Sequence, residues 1–173
     1  LTSPARWIAP PPDIALRLAK VPVPCRPPTA VSGRSTVTAE SGIIRMGLTT
    51  AATTLQYTGS GHSSDRLVGM QGTTGGVTID ADGTGALGLG GARFESAGNK
   101  TLTLRGSSAT GLNNSIGAIT ELAGVLTLNK TDANTWLINS ASSYTGATQI
   151  DNGTLKLGVN DALPVTTAVR LGT

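Results

Sequence analysis

A repeat of about 24 residues restricts the fold of this chain more than any other feature of its sequence. A globular sandwich has no reason to keep one period through four intervals, whereas a solenoid does, because each coil stacks its strands on the previous coil. The spacing therefore predicts a parallel β-solenoid with about 24 residues per coil. The main aliphatic series has intervals of 24, 23, 24 and 24 residues, and its members are Leu55, Ile79, Leu102, Leu126 and Ile150. A second, looser series runs between them through Leu67, Leu89, Ile116 and Leu137.

Short alternating stretches surround these aliphatic positions. Residues 77–80, 101–104 and 125–128 place Leu, Ile or Val at every second position, with Thr between several of them. This period of two is typical of half-buried strands, and the Gly, Asn, Asp and Ser residues between the stretches supply turns. Charged residues make up only 13% of the chain, about half the usual share of roughly 25%. The sequence therefore predicts an all-β fold whose surface is covered by hydroxyl and amide groups.

Residues 1–34 differ from the remainder of the chain. They hold eight of the nine prolines and a net charge of +4, while residues 35–173 carry a net charge of −1. Proline fixes φ and removes a donor, so we expect an extended arm over 1–34 and the parallel β-helix over 35–173. Between the prolines, residues 13–20 are compatible with two helical turns that begin at Asp13. We expect the arm and the final strand to act in assembly, through Pro10, Pro11, Pro12, Pro22, Pro24 and Leu171.

A characteristic pattern lies at residues 125–172. It contains the segments VLTLNKT (125–131), NTWLIN (134–139), SYTGATQI (143–150), NGTLKLG (152–158) and DALP (161–164). This series resembles the autotransporter-associated β-strand repeat, also called the passenger-associated transport repeat. Residues 54–120 resemble the stretch that often precedes this repeat, so the resemblance covers about residues 54–172. Asp132 and Asn134 replace small residues of the family pattern before the tryptophan, and Asn139-Ser140 replaces a Ser-Gly pair.

The resemblance implies a right-handed parallel β-helix from large exported or outer-surface bacterial proteins. It implies no catalytic residues, because the motif of the family is structural. We therefore expect an extracellular or cell-surface location. The chain begins without a signal-peptide pattern, so an exported form would have lost its signal or be a fragment. No apolar stretch is long enough to cross a bilayer as a helix, and no membrane span is predicted.

Two acidic residues are candidate metal ligands. Asp80 and Asp82, followed by Gly83, resemble the first half of a calcium loop, but its twelfth position is Gly91 instead of a bidentate acid. A β-turn is the favoured interpretation, so Asp80 and Asp82 are only a candidate metal site and no cofactor is predicted. Asp80 shares its phase with Asp151, and the spacing places Thr103 and Thr127 between them. No column of acids is therefore expected, and we predict that the protein is not an enzyme.

The remaining reactive or aromatic residues indicate little chemistry. Cys25 is the single cysteine and His62 the single histidine, and nothing in the sequence brings them together. Trp136 and Tyr144 could stack on sugars, but packing at a strand edge or corner is the preferred interpretation. The basic residues form no cluster, so no nucleic acid partner is expected.

Two functional hypotheses follow, with a third of lower rank. The first is a structural subunit whose partners are copies of itself, stacked head to tail into a surface fibre or sheath. The second is an adhesin or stalk passenger segment of a larger autotransporter-like surface protein, with surface glycans as candidate partners. The third is a carbohydrate-active β-helix enzyme, which would need an acid pair on one face.

Overall fold

The computed structural model describes residues 16–18, 42–106 and 112–172. Thirteen strands lie in these ranges. Their bounds are β1 Leu16–Leu18, β2 Ile43–Met46, β3 Thr53–Tyr57, β4 Ser60–Met70, β5 Val77–Ala81, β6 Gly85–Phe94, β7 Asn99–Arg105, β8 Asn113–Glu121, β9 Val125–Lys130, β10 Thr135–Ile138, β11 Thr148–Ile150, β12 Thr154–Leu157 and β13 Val169–Leu171.

The strands alternate between two sheets along the chain. The seven odd-numbered strands form one sheet in the order β1-β3-β5-β7-β9-β11-β13, and the six even-numbered strands form the other in the order β12-β10-β8-β6-β4-β2. All neighbouring pairs from β2 onward are parallel. Each coil therefore adds one strand to each sheet, which makes a β-solenoid of about five turns whose average coil matches the repeat in the sequence. The predicted fold class is confirmed.

The register between coils differs from the one that the aliphatic spacing indicates. Leu55 pairs with Ile79 as expected, but Ile79 pairs with Leu104 instead of Leu102. Leu102 in turn pairs with Leu128 instead of Leu126. Because each displacement is two residues, every side chain keeps its inward direction. The strands and their inward faces were thus predicted, while the partners within each column were not.

Coils of unequal length cause this difference. Paired residues are 24 apart for Thr53 and Val77, 27 apart for Gly88 and Ser115, and 19 apart for Thr135 and Thr154. The extra or missing residues lie in turns and at irregular points in the strands. In β4 the register shifts between Ser64 and Leu67. A constant period in the sequence therefore describes the average coil only.

The long strands β6 and β8 change phase near their centres. In β6, Leu87 and Leu89 are buried before the change, and Ala92 and Phe94 are buried after it. Glycine is required at this point, because a Cβ on Gly117 would lie 2.0 Å from the carbonyl oxygen of Gly90 in the preceding coil. The change of phase lets both halves of β6 and of β8 present apolar side chains to the interior.

The core is one continuous column of apolar side chains along the solenoid. All four aromatic residues in it are almost completely buried, and these are Tyr57, Phe94, Trp136 and Tyr144. Smaller aliphatic side chains from both sheets fill the space between them. Removal of these apolar side chains from water supplies the main favourable free energy of folding. The inward faces of the parallel strands are apolar and are buried only when the coils stack and the two sheets pack together.

The predicted arm contributes one strand to the described structure. Residues 16–18 form β1, which pairs antiparallel with β3, Leu16 with Tyr57 and Leu18 with Leu55. The prediction of helical turns over residues 13–20 is therefore wrong at residues 16–18, which form a strand. The outer edge of β3 offers unpaired backbone groups, and an extended segment satisfies them where a helix would not. The assembly prolines Pro10, Pro11, Pro12, Pro22 and Pro24 lie outside the described residues, as does Cys25.

Candidate functional site

The candidate metal ligands lie at the end of β5, beside a guanidinium group. Asp80 pairs in register with Arg105 of the next coil, and its Oδ2 is 3.4 Å from Arg105 Nε. The same Nε is 3.3 Å from Oδ2 of Asp132, one coil further along. Arg105 thus lies between two carboxylates from neighbouring coils. The prediction that Thr103 lies beside Asp80 is wrong, because the register is displaced by two residues and Thr103 pairs with Thr78.

The environment of Asp80 is unusual for a carboxylate. The residue is 6% exposed, and its Oδ1 is buried without a hydrogen-bond partner. Burial raises the pKa of Asp80, Arg105 opposes this rise, and the charges of Asp82 and Asp132 add to it. Asp82 accepts a hydrogen bond from Gln56 Nε2 at 3.4 Å. The cluster is therefore an ion-pair ladder across coils, with more negative than positive charge.

No metal centre is evident in this ladder. Among the residues that the structure describes, no group of three or more His, Cys, Asp or Glu side chains is arranged to hold a metal ion. The cation beside Asp80 is the guanidinium of Arg105. Asp80 and Asp82 remain a candidate metal pair only as a prediction from sequence.

A second polar cluster, which sequence reasoning missed, joins three successive coils. Glu95 Oε2 is 3.1 Å from Arg45 Nη1 and accepts a hydrogen bond from Gln71 Nε2 at 2.9 Å. Its Oε1 accepts one from Arg93 Nε at 3.0 Å. Burial opposes the charge of Glu95, but these hydrogen bonds and the two guanidinium groups outweigh burial and lower the pKa. Only the register reveals the cluster, because Arg45 and Glu95 are 50 residues apart.

Two lysines point into the solenoid and bind backbone carbonyls. Lys100 donates to the carbonyl oxygens of Gly47, at 2.9 Å, and Gln71. Lys130 is completely buried and donates to the carbonyl oxygens of Asp132, at 2.7 Å, and of Asn152, at 3.2 Å, and also to that of Thr131. Burial lowers the pKa of both amines, that of Lys130 to about 8 with Asp132 opposing the change. The ammonium groups thus fasten corner turns of different coils together.

The aromatic candidates for sugar stacking face the interior. Trp136 is completely buried and donates from Nε1 to the carbonyl oxygen of Arg105 at 3.3 Å. Tyr144 is also completely buried, with its hydroxyl 2.6 Å from Thr148 Oγ1. Burial raises the pKa of Tyr144. The packing interpretation of both residues is confirmed. His62 lies in an exposed part of β4.

The described residues form shallow surface cavities, of which two are of useful size. One, of about 310 Å³, crosses several coils and is lined mainly by hydroxyl, amide and carboxyl groups from Ser63, Ser64, Asp65, Ser115 and Asn139. The other, of about 440 Å³, lies between the last two coils and is lined by residues 142–145, Asp161 and residues 164–166. Both offer hydrogen-bonding groups to a polar ligand. Each cavity contains one carboxylate, that of Asp65 in the first and that of Asp161 in the second.

The final coil leaves apolar side chains exposed that earlier coils bury. Leu171 is 77% exposed and Leu157 is 55% exposed. Each belongs to an inward column, since Leu171 pairs with Ile150 and Leu157 with Ile138.

The fold and its sites define a β-solenoid with polar ladders along its corners. Comparison with known proteins identifies an adhesin as a relative over part of the chain. The chain is 38% identical over 115 residues to the adhesin BmaC autotransporter of Brucella suis biovar 1 (strain 1330), a match covering 61% of this chain and 3% of that protein. The chain thus spans a small part of the length of this adhesin.

Two further comparisons gave no match. No protein-family model matches the chain, and the specific repeat family that residues 125–172 resemble is therefore not confirmed in this way. No solved structure matches either. Within residues 16–18, 42–106 and 112–172, no helix is long and apolar enough to cross a membrane.

Proposed function

We propose that this chain is a passenger segment of an autotransporter-type adhesin, exposed at the surface of a bacterium. The observation that carries the proposal is its 38% identity to a stretch of an adhesin autotransporter. The continuous parallel solenoid supports it, because stacked coils make a long, stiff body that holds binding surfaces away from a cell.

A non-enzymatic role fits the described side chains. The Glu95 cluster and Lys130 engage their polar groups in ion pairs and carbonyl contacts that join coils. Neither surface cavity combines the two separated carboxyl groups that glycoside hydrolysis uses. We therefore assign binding to the surface of the solenoid and not chemistry, with surface glycans as the candidate ligands of the polar cavity at Ser63 and Ser115.

Adhesion of coated particles tests this proposal. Beads carrying the purified chain should bind cultured host cells or immobilised glycans in excess of beads carrying an unrelated β-solenoid of similar size. A Ser115→Trp variant fills the polar cavity and should reduce binding if that cavity holds the ligand. Equal attachment of both kinds of bead, across cells and glycans, would contradict an adhesive role.

A fibre subunit is the second candidate function. It is supported by the regular stack, in which each coil adds one strand to each of two parallel sheets. Head-to-tail addition of copies in the same register would give an open filament. Electron microscopy and light scattering across a concentration series distinguish the two, since a fibre subunit elongates with concentration and a passenger segment stays a short rod.

A further inference from the structure

An exposed Asn-Gly pair forms the corner turn between β11 and β12. The main-chain nitrogen of Gly153 donates to Oδ1 of Asn152 at 2.7 Å. A carbonyl bond is about 1.2 Å long, so this nitrogen lies within about 4 Å of Asn152 Cγ. The side chain of Asn152 therefore folds back onto the main-chain nitrogen of the residue that follows it.

The fold itself requires glycine at position 153. A Cβ there would lie 2.3 Å from the carbonyl oxygen of Asp132 and 2.5 Å from that of Asn134, and the φ of 74° is one that favours glycine. A following residue without a Cβ also leaves its nitrogen open to the carboxamide of the asparagine before it. Asn152-Gly153 is the one Asn-Gly pair in the sequence.

The main-chain carbonyl of Asn152 is bound by a buried cation. Lys130 Nζ donates to this oxygen at 3.2 Å, and it also donates to the carbonyl oxygen of Asp132 at 2.7 Å, which helps to hold the amine in place. Asn152 is exposed to water. One residue thus combines a carboxamide close to a nitrogen nucleophile with a carbonyl oxygen that an ammonium group polarises.

We propose that Asn152 and Gly153 form a self-modifying site, and that Lys130 directs its product to isoaspartate. Hydroxide removes the proton of Gly153 N, and the nitrogen attacks Asn152 Cγ, which expels Nδ2 as ammonia and closes a succinimide ring. Water then adds to the main-chain carbonyl carbon of residue 152, and the bond from that carbon to Gly153 N breaks as the nitrogen regains a proton. The main chain now runs through Cγ, and the former carbonyl is a free carboxylate.

The ring has two carbonyl groups that water can attack, and Lys130 distinguishes them. Negative charge develops on the oxygen of the attacked carbonyl, and an ammonium group held against that oxygen stabilises it. Lys130 contacts the main-chain oxygen, which favours attack there and hence isoaspartate. The new carboxylate forms an ion pair with Lys130, so the corner keeps this anchor while its main chain gains one carbon and a negative charge.

Ageing of the full chain in heavy-oxygen water at pH 7, where Lys130 is protonated, tests the site. Mass spectrometry of its peptides should show heavy oxygen entering residue 152 several-fold faster than residue 139, since Asn139 is exposed but followed by Ser140. Digestion in ordinary water excludes changes made during analysis. Asn152→Gln, whose longer side chain does not close the same ring, is the matched control and should stay unmodified. Labelling of Asn152 no faster than that of Asn139 would overturn the proposal.

The ratio of products tests the role of Lys130. Electron-transfer dissociation separates isoaspartate from aspartate at residue 152. The ratio of isoaspartate to aspartate should be higher in the folded chain than in the folded Lys130→Met variant by about tenfold, the effect of one hydrogen bond to a charged group. The wild type unfolded in urea is a second reference, because it has the same covalent chain without the Lys130 contact. Equal ratios in the folded and the urea-unfolded wild type would overturn direction by Lys130.

Discussion

Leu104 and Leu171 lie in the same inward column of the seven-stranded sheet, yet Leu104 is completely buried and Leu171 is 77% exposed. The two leucines have the same chemistry and direction, and they differ in whether a following coil covers them. They are therefore a matched pair for measuring how much the stacking of coils stabilises this fold.

Truncation of the two leucines should have unequal effects. Leu104→Ala leaves a cavity in the core and should lower the free energy of unfolding by about 2–5 kcal/mol. Leu171→Ala removes a side chain that is mostly in water and should cost less than about 1 kcal/mol. Urea unfolding of the monomer followed by circular dichroism checks both values. Equal losses for the two variants would mean that the column does not run as described.

Lys130 should make stability depend on pH. Its pKa is about 8 in the native state because of burial, against 10.5 for an exposed lysine. Below pH 8 the amine is protonated in both states. Between about pH 8 and 10.5 the unfolded chain binds more protons, so the free energy of unfolding should rise with pH from this group.

The contribution of Lys130 is isolated by difference. Burial also lowers the pKa of Lys100 and raises the pKa of Tyr144, so both residues add to the pH dependence of stability. The wild type must therefore be compared with Lys130→Met. Urea unfolding at steps between pH 7.5 and 10 should show a steeper rise for the wild type than for Lys130→Met. Parallel curves for the two proteins would contradict a buried, charged amine at this position.

The ion pair between Arg105 and Asp80 should stabilise the ladder at the corner of the sheet. Arg105→Ala removes the cation beside a carboxylate that is 6% exposed, and should lower the free energy of unfolding by about 1 kcal/mol. Asp80→Asn in the same background removes the stranded charge and should recover much of this loss. Arg66→Ala, on an exposed position, is the control. Additive effects of the two substitutions would show that the pair is not coupled.

Glu95 should make the fold sensitive to acid. Burial opposes its charge, but hydrogen bonds from Gln71 and Arg93 and the charges of Arg93 and Arg45 hold its pKa below the ordinary 4.5. Its stabilising effect is therefore present above about pH 4.5 and is lost as the pH falls through the lower, native value. Thermal unfolding between pH 6 and 3 should show a steeper acid loss for the wild type than for Glu95→Gln. Identical acid profiles would contradict the role of this cluster.

The fold class could be predicted from sequence because its cause is local. Alternation of apolar and polar residues in stretches such as 101–104 and 125–128 sets the inward face of each strand, and a regular repeat of the aliphatic positions requires stacking. The partners across coils could not be predicted, because the coils differ in length. The extra or missing residues of each coil are placed by the conformation of its turns, which the sequence pattern does not specify.

The polar ladders were missed for the same reason. A constant period places Thr103 beside Asp80, whereas the actual register places Arg105 there. Lys130 is the last residue of the alternating strand β9, and a charged side chain in the inward phase gives no sign in sequence that it lies buried in the column of Leu104. Its burial depends on turn carbonyls at Asp132 and Asn152 that are brought together by stacking alone. Such groups become evident once the register is known.

Distances between spin labels along one column test the central claim, that the coils stack in register as a parallel solenoid. Thr54, Thr78, Thr103, Asn129, Gln149 and Arg170 follow one another in the seven-stranded sheet. In a Cys25→Ser background, labels at Arg170 and at Thr103, Thr78 or Thr54 should be separated by about 14, 19 and 24 Å, rising by about 4.8 Å per coil. Distances that do not increase in this order would contradict the solenoid and the register on which the account depends.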